Sequence, residues 1–156
     1  MKIEIGLKAP EFTLYNSQKN KVSLSDYKGK NVLLLFFPLA FTGTCTKELC
    51  GVRDNISQYN NSNADVLGIS VDSLYTLAKY KEEQHLNFQL LSDFNKEVSA
   101  AYGSLYPTFG FGMNGVGKRS AFVIDKEGLV QYAEVLENAS EIPDFTAIQI
   151  TLAQCN

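Results

Sequence analysis

NVLLLFFPLAFTGTCTKELCGVRDN, residues 31 to 55, starts as an unbroken apolar run and finishes as a polar, periodic one. Seven residues from Asn31 to Phe37 contain no charge, as a strand covered on both faces requires. Pro38 ends that strand, since its ring removes a backbone donor and fixes φ. Leu49, Val52, Ile56 and Tyr59 then recur at three- and four-residue spacing, the stripe of a helix with one buried face. A buried strand that turns sharply into an amphipathic helix is the first half of a β-α-β unit. Two of the chain's three cysteines, Cys45 and Cys50, lie in the helical part.

The rest of the chain extends this alternation. DVLGISVD reads as a second buried strand, and Leu74, Leu77 and Ala78 as a helix running to about His85. FQLLSD is a short strand, and NKEVSAAYG a short helix stopped by Gly103. SAFVID and LVQYAEV form a hairpin across Lys126, Glu127 and Gly128. Ile142, Phe145, Ile148 and Leu152 make a C-terminal helical stripe, with Ser140 as candidate N-cap. Upstream, FTLY and KVSL flank the turn-rich NSQKN as a further hairpin. Parallel crossover units followed by an antiparallel hairpin predict an α/β fold, a three-layer α/β/α sandwich around a mixed central sheet with an N-terminal β-hairpin. Functional groups in such sheets collect at the carboxyl ends of the parallel strands, where Cys45 falls.

Composition bounds the function. At 156 residues, without linker or repeat, residues 1–156 are expected to form one domain. A 45% hydrophobic fraction and a net charge of −3 without charge blocks give no sign of a nucleic-acid or membrane partner. The run from Val32 to Phe41 is too short to span a bilayer, and MKIEIGLKAP has no apolar signal core, so a cytoplasmic location is expected. Three cysteines are an odd count, against a disulfide scaffold. No C-x2-C pair exists to start a zinc site, so no metal is expected and a reactive thiol is the stronger reading.

The chemistry of the corner follows from its position. Cys45 falls in the first turn of the predicted helix, where N–H groups lack partners and the dipole is positive, an environment that favours a thiolate. An ordinary thiol, with a pKa of ~8.5, is only a few per cent ionised at pH 7, and a downward shift of ~2.5 units takes about 3.4 kcal/mol. A helix end supplies about 0.3–2 kcal/mol. A full cation is therefore expected beside the sulfur. Pro38 gives the turn a rigid apolar wall, and the Thr42 hydroxyl, three residues before Cys45, can reach the same pocket as donor and acceptor.

P-L-A-F-T-G-T-C, residues 38–45, resembles the P-x-x-x-[ST]-x-x-C signature of the peroxiredoxins, the alkyl hydroperoxide reductase/thiol-specific antioxidant family. APEFTL, VSLSDYKGK, LLSD and KRSAFVID resemble further segments of that family in the family's order. The resemblance implies a thioredoxin-like fold and thiol-dependent reduction of hydrogen peroxide and organic hydroperoxides, without a cofactor. It implies that Cys45 is the peroxidatic cysteine, that Pro38 and Thr42 shape the peroxide site, and that Arg119 is the missing cation. Glu48 matches the carboxylate that orients that arginine. C-T-K-E-L-C, residues 45–50, is similar to the bacterioferritin-comigratory-type branch, whose resolving cysteine follows five residues after the peroxidatic one. Cys50 would then attack the Cys45 sulfenic acid, and a thioredoxin-like thiol donor would reduce the disulfide. A homodimer is also a family expectation. Cys155 or an external thiol are the alternatives to Cys50.

Five residues along an intact helix the two Cα atoms stand about 8.7 Å apart, whereas a disulfide needs them within ~7 Å. Pairing therefore requires the first turns of the helix to unwind. GFGMNG at 110–115 and GMNGVGK at 112–118 imitate nucleotide loops but precede a strand where those motifs open a helix, so both readings are rejected. His85 reads as a surface residue. Two other function classes use the same oxidisable cysteine: a thiol-disulfide oxidoreductase of the same fold, disfavoured by the missing C-x-x-C, and a peroxide sensor without turnover.

Overall fold

A computed structural model describes residues 3–156. The N-terminal hairpin pairs β1 (Thr13–Asn16) with β2 (Lys21–Ser23). Strand β3 (Asn31–Phe36) leads to helix α1 (Gly43–Asp54) and a short α2 (Ile56–Asn61). Then come β4 (Ala64–Ser70), α3 (Leu74–Gln84), β5 (Gln89–Ser92) and the one-turn helix α4 (Glu97–Ala101). A ribbon of β6 (Leu105–Tyr106) and β7 (Val116–Gly117) precedes β8 (Ser120–Ile124), β9 (Val130–Val135) and α5 (Phe145–Gln154).

Seven strands form one mixed sheet in the order β2-β1-β5-β4-β3-β8-β9. Strand β3 is interior, parallel to β4 and antiparallel to β8, and all six of its residues are buried. Its side chains alternate between two cores, as strand geometry dictates. Leu33, Leu35 and Phe37 join α1, α2, α3 and α5 on one face. Val32, Leu34 and Phe36 join Phe12, Leu24, Val98 and Tyr102 on the other. The three expected layers are present, but unequal. Four helices cover the first face, while α4, a 3-10 turn at Leu24–Tyr27 and the N-terminal segment cover the second.

Two expected helix boundaries are corrected. The stripe from Leu49 to Tyr59 is divided between α1 and α2, because Asn55 leaves helical geometry (φ −117, ψ 21). Its amide folds back on the Gly51 carbonyl, the local competition that asparagine brings to a helix. The C-terminal helix begins at Phe145, not after Ser140. Asp144 caps it through the Ala147 N–H, while Ser140 bonds Asn138 and Ile142 stays outside the helix. Pro143 accounts for this, since a proline disfavours the helical region for the residue before it. The β6–β7 ribbon was not anticipated from two-residue strands. His85 is exposed in a left-handed C-cap of α3.

Candidate active site

The carboxyl end of β3 delivers the chain into a turn that the neighbouring strand pins. Phe37 N–H extends the ladder to the Ile69 carbonyl, and the Ala40 N–H donates to Asp72 Oδ2 at 2.8 Å. Pro38 is buried at the turn's base. Phe41 has φ +66, a left-handed backbone that is strained for a bulky residue. Thr42 is the N-cap of α1 by backbone, and the first intrahelical bond runs from Thr46 N–H to its carbonyl. Its side chain does not cap. The hydroxyl donates to the Leu39 carbonyl at 2.7 Å. With its one proton committed, Thr42 Oγ1 keeps only acceptor capacity, where the sequence offered it as donor and acceptor.

Cys45 is the third residue of α1 and has no exposed surface. Arg119 comes to it from a distant part of the chain. The β3–β8 register pairs Phe36 with Ser120, so the residue before β8 stands beside Phe37, where the chain departs toward Cys45. Three fixed bonds hold the guanidinium. Nη2 donates to Cys45 Sγ at 3.2 Å, Nη1 to Glu48 Oε1 at 2.7 Å, and Nε to the Ala139 carbonyl at 3.0 Å. The Leu136 N–H clamps the Arg119 carbonyl, so the segment after β9 holds both backbone and side chain. Only 2% of Arg119 is exposed.

Glu48, which alone would read as an ordinary first-turn acid, is a buried partner of this arginine. Burial pushes its carboxyl up to about 7, although Arg119 pulls the other way. Burial works against the charge on Arg119, but the adjoining Cys45 and Glu48 outweigh it and hold the guanidinium above its usual range. A cation enclosed by two groups that ionise as anions stays charged.

Pro38, Thr42, Gly43, Cys45, Phe109 and Arg119 line a cavity of about 240 Å³, together with Ala139 and Ser140. Cys45 belongs to this lining, although it has no exposed surface. Phe109, Asp72 and the Ala139 carbonyl were not singled out by the sequence. A lone aromatic in a glycine-rich loop, a strand-end aspartate and a main-chain oxygen carry no spacing signal.

The other two cysteines diverge. Cys50 is half-buried on the same helix but bonds Gln84 Oε1 of α3, at 3.6 Å, away from Arg119. Cys155 sits at the end of α5, where burial and the nearby Asp125 push its thiol up. Asp125 follows the end of β8 opposite Arg119, so Cys155 lies toward that end of the sheet. Among the described residues no three His, Cys, Asp or Glu side chains converge as a metal site, and no helix is long and apolar enough to cross a membrane.

The chain is similar to known proteins in sequence and in fold. Residues 5–133 match the model of the AhpC/TSA family. A Coxiella burnetii protein named as a peroxiredoxin, bcp, is 44% identical over 131 residues, covering 83% of this chain and 87% of that protein. Alkyl hydroperoxide reductase E of Mycobacterium tuberculosis is 38% identical over 145 residues, 91% of each chain. The crystal structure of peroxidoxin BcpB from Mycobacterium tuberculosis superposes with a TM-score of 0.85 at 29% identity over 99% of both chains. The fold is thus the thioredoxin-like one expected. The chain belongs to the AhpC/TSA family and is a peroxiredoxin, a thiol-dependent peroxidase.

Proposed function

We propose that Cys45 is the peroxidatic cysteine and that it reduces hydrogen peroxide and organic hydroperoxides. The observation that carries this reading is the Arg119 Nη2 to Cys45 Sγ contact of 3.2 Å at the wall of a small cavity. The thiolate attacks the hydroxyl oxygen of ROOH in line with the O–O bond. An S–O bond forms and the O–O bond breaks. Cys45 is left as a sulfenic acid, and the alkoxide or hydroxide takes a proton to leave as an alcohol or water. Negative charge moves from sulfur toward the departing oxygen, and the guanidinium and the unpaired N–H groups opening α1 act on it where it develops. Thr42 Oγ1, restricted to accepting, orients the peroxide by its O–H. Pro38 supplies an apolar wall that donates nothing to compete with that bond. Glu48 fixes the plane of Arg119.

Cys50 then resolves the sulfenic acid as an intramolecular disulfide. The C-T-K-E-L-C spacing and the remoteness of Cys155 support Cys50 over the third cysteine. A thioredoxin-like dithiol in a reducing compartment restores both thiols. Peroxide consumption driven by a dithiol tests the reading. Wild type should turn over, and Cys45→Ser should not. Stoichiometric oxidation without turnover would assign a sensor instead, and reduction of a protein disulfide without peroxide consumption an oxidoreductase.

A further inference from the structure

The segment that must unwind for Cys45 to meet Cys50 is held from outside by one face of α3. Tyr80, with no exposed surface, shares a hydrogen bond of 2.9 Å between its hydroxyl and Thr46 Oγ1. The strained Phe41 packs its ring on Tyr80 at 5.0 Å between centroids. One turn further along α3, Gln84 Oε1 receives the Cys50 thiol. Residues 41, 46 and 50 therefore all lean on Tyr80 and Gln84. Burial pushes the Tyr80 hydroxyl up to about 12, so it stays neutral at working pH and the Thr46 bond is not titrated away.

Beyond Cys50 the attachment changes character. Arg53 Nη1 donates to the Gln84 main-chain carbonyl at 2.6 Å, and Asn87 Nδ2 donates to the Arg53 carbonyl at 3.2 Å. The first half of α1 is thus tied to α3 by single side-chain contacts around Tyr80, and the second half by bonds that involve main chain on either side.

We propose that Tyr80 is a positioning residue, a latch that through Thr46 and Phe41 sets the balance between the folded α1 start, which reacts with peroxide, and the unwound one, which forms the disulfide. The inference rests on the reading of Cys50 as the resolving cysteine. In the unwound state the Cys50 thiolate attacks the sulfenic sulfur. The S–O bond breaks, an S–S bond forms, and hydroxide leaves as water with a proton. While the latch is closed, the sulfenic acid stays beside Arg119. A second peroxide can then oxidise it to sulfinic acid and leave as alcohol or water. The latch therefore decides the partition of one intermediate between two fates.

Tyr80→Phe removes the hydroxyl and keeps the ring, and Thr46→Val removes the partner. Reduced protein is mixed with one equivalent of hydrogen peroxide, and the Cys45–Cys50 bond is timed by acid quench and mass spectrometry. Sulfinic acid is counted separately under excess peroxide. Each variant should form the disulfide about three- to tenfold faster, the net weight of one hydrogen bond, and the sulfinic yield per turnover should fall by a like factor. The double variant should add nothing to either single one. A defect that merely loosens the fold slows the peroxide step and leaves the partition where it was. Disulfide formation at the wild-type rate in both single variants overturns the latch. Wild type that forms no Cys45–Cys50 bond, and gives the same sulfinic yield as Cys50→Ser, overturns the reading of Cys50 and the latch with it.

Discussion

At the scale of the residue, one guanidinium does two jobs with one geometry. Arg119 reaches Cys45 through Nη2 and Glu48 through Nη1, a division that needs a planar fork. Arg119→Lys keeps the charge but cannot hold both partners. Arg119→Met removes charge and fork together, and kcat/KM for peroxide should fall by about 100-fold or more, the cost of deleting one transition-state donor.

Glu48 makes a separate prediction about pH. Its carboxyl stands at about 7 in the folded chain, raised by burial, against 4.5 for an ordinary glutamate. Between those values the folded state holds a proton that the unfolded state has released. The stabilisation is complete below 4.5 and is lost as pH rises through about 7. Urea midpoints of wild type should therefore decline from pH 5 to pH 8 relative to Glu48→Gln, which cannot ionise. A wild-type midpoint that rises instead would mean that Arg119 overcomes the burial and keeps the carboxylate charged throughout.

At the scale of the element, α1 is one continuous helix from Gly43 to Asp54 with Cys45 and Cys50 both inside it. Disulfide formation and an intact α1 are incompatible, since Cα atoms five residues apart stand about 8.7 Å from one another in a helix. Stoichiometric oxidation should lower the far-ultraviolet helix signal, and reduction should restore it. Cys50→Ser should keep its helix signal after the same treatment and accumulate a Cys45 sulfenic acid that a dimedone-type probe captures. Cys155→Ser should behave as wild type in both measurements, because its thiol lies at the opposite end of the sheet.

At the scale of the whole molecule, the site exists because β8 runs antiparallel to β3 in one register. That pairing sets Arg119 at the carboxyl end of the strand that leads to Cys45. A slip of one residue would turn every β8 side chain to the other face. The two cores on either side of β3 fix the register. Leu35→Ala, fully buried among the α1 and α5 side chains, should cost about 2–5 kcal/mol in urea unfolding.

How much of this was legible in the chain itself depends on the range of the interactions concerned. The strand, the turn at Pro38, the helix and the sulfur in its first turn follow from residues 31–55 alone, because hydrophobic period, proline geometry and unpaired N–H groups act within a few positions. Boundaries failed where a local competitor intervened, at Asn55 and at Pro143. Arg119 and Glu48 could be named only through the resemblance, since residues 71 positions apart share no spacing rule. The tertiary structure alone decided that Thr42 spends its proton on Leu39, that Ala139 and Asp72 hold the arginine and the turn, and that Tyr80 leans on the helix start. Each of these depends on how layers of distant sequence close over one another, and packing of that kind leaves no period in the chain.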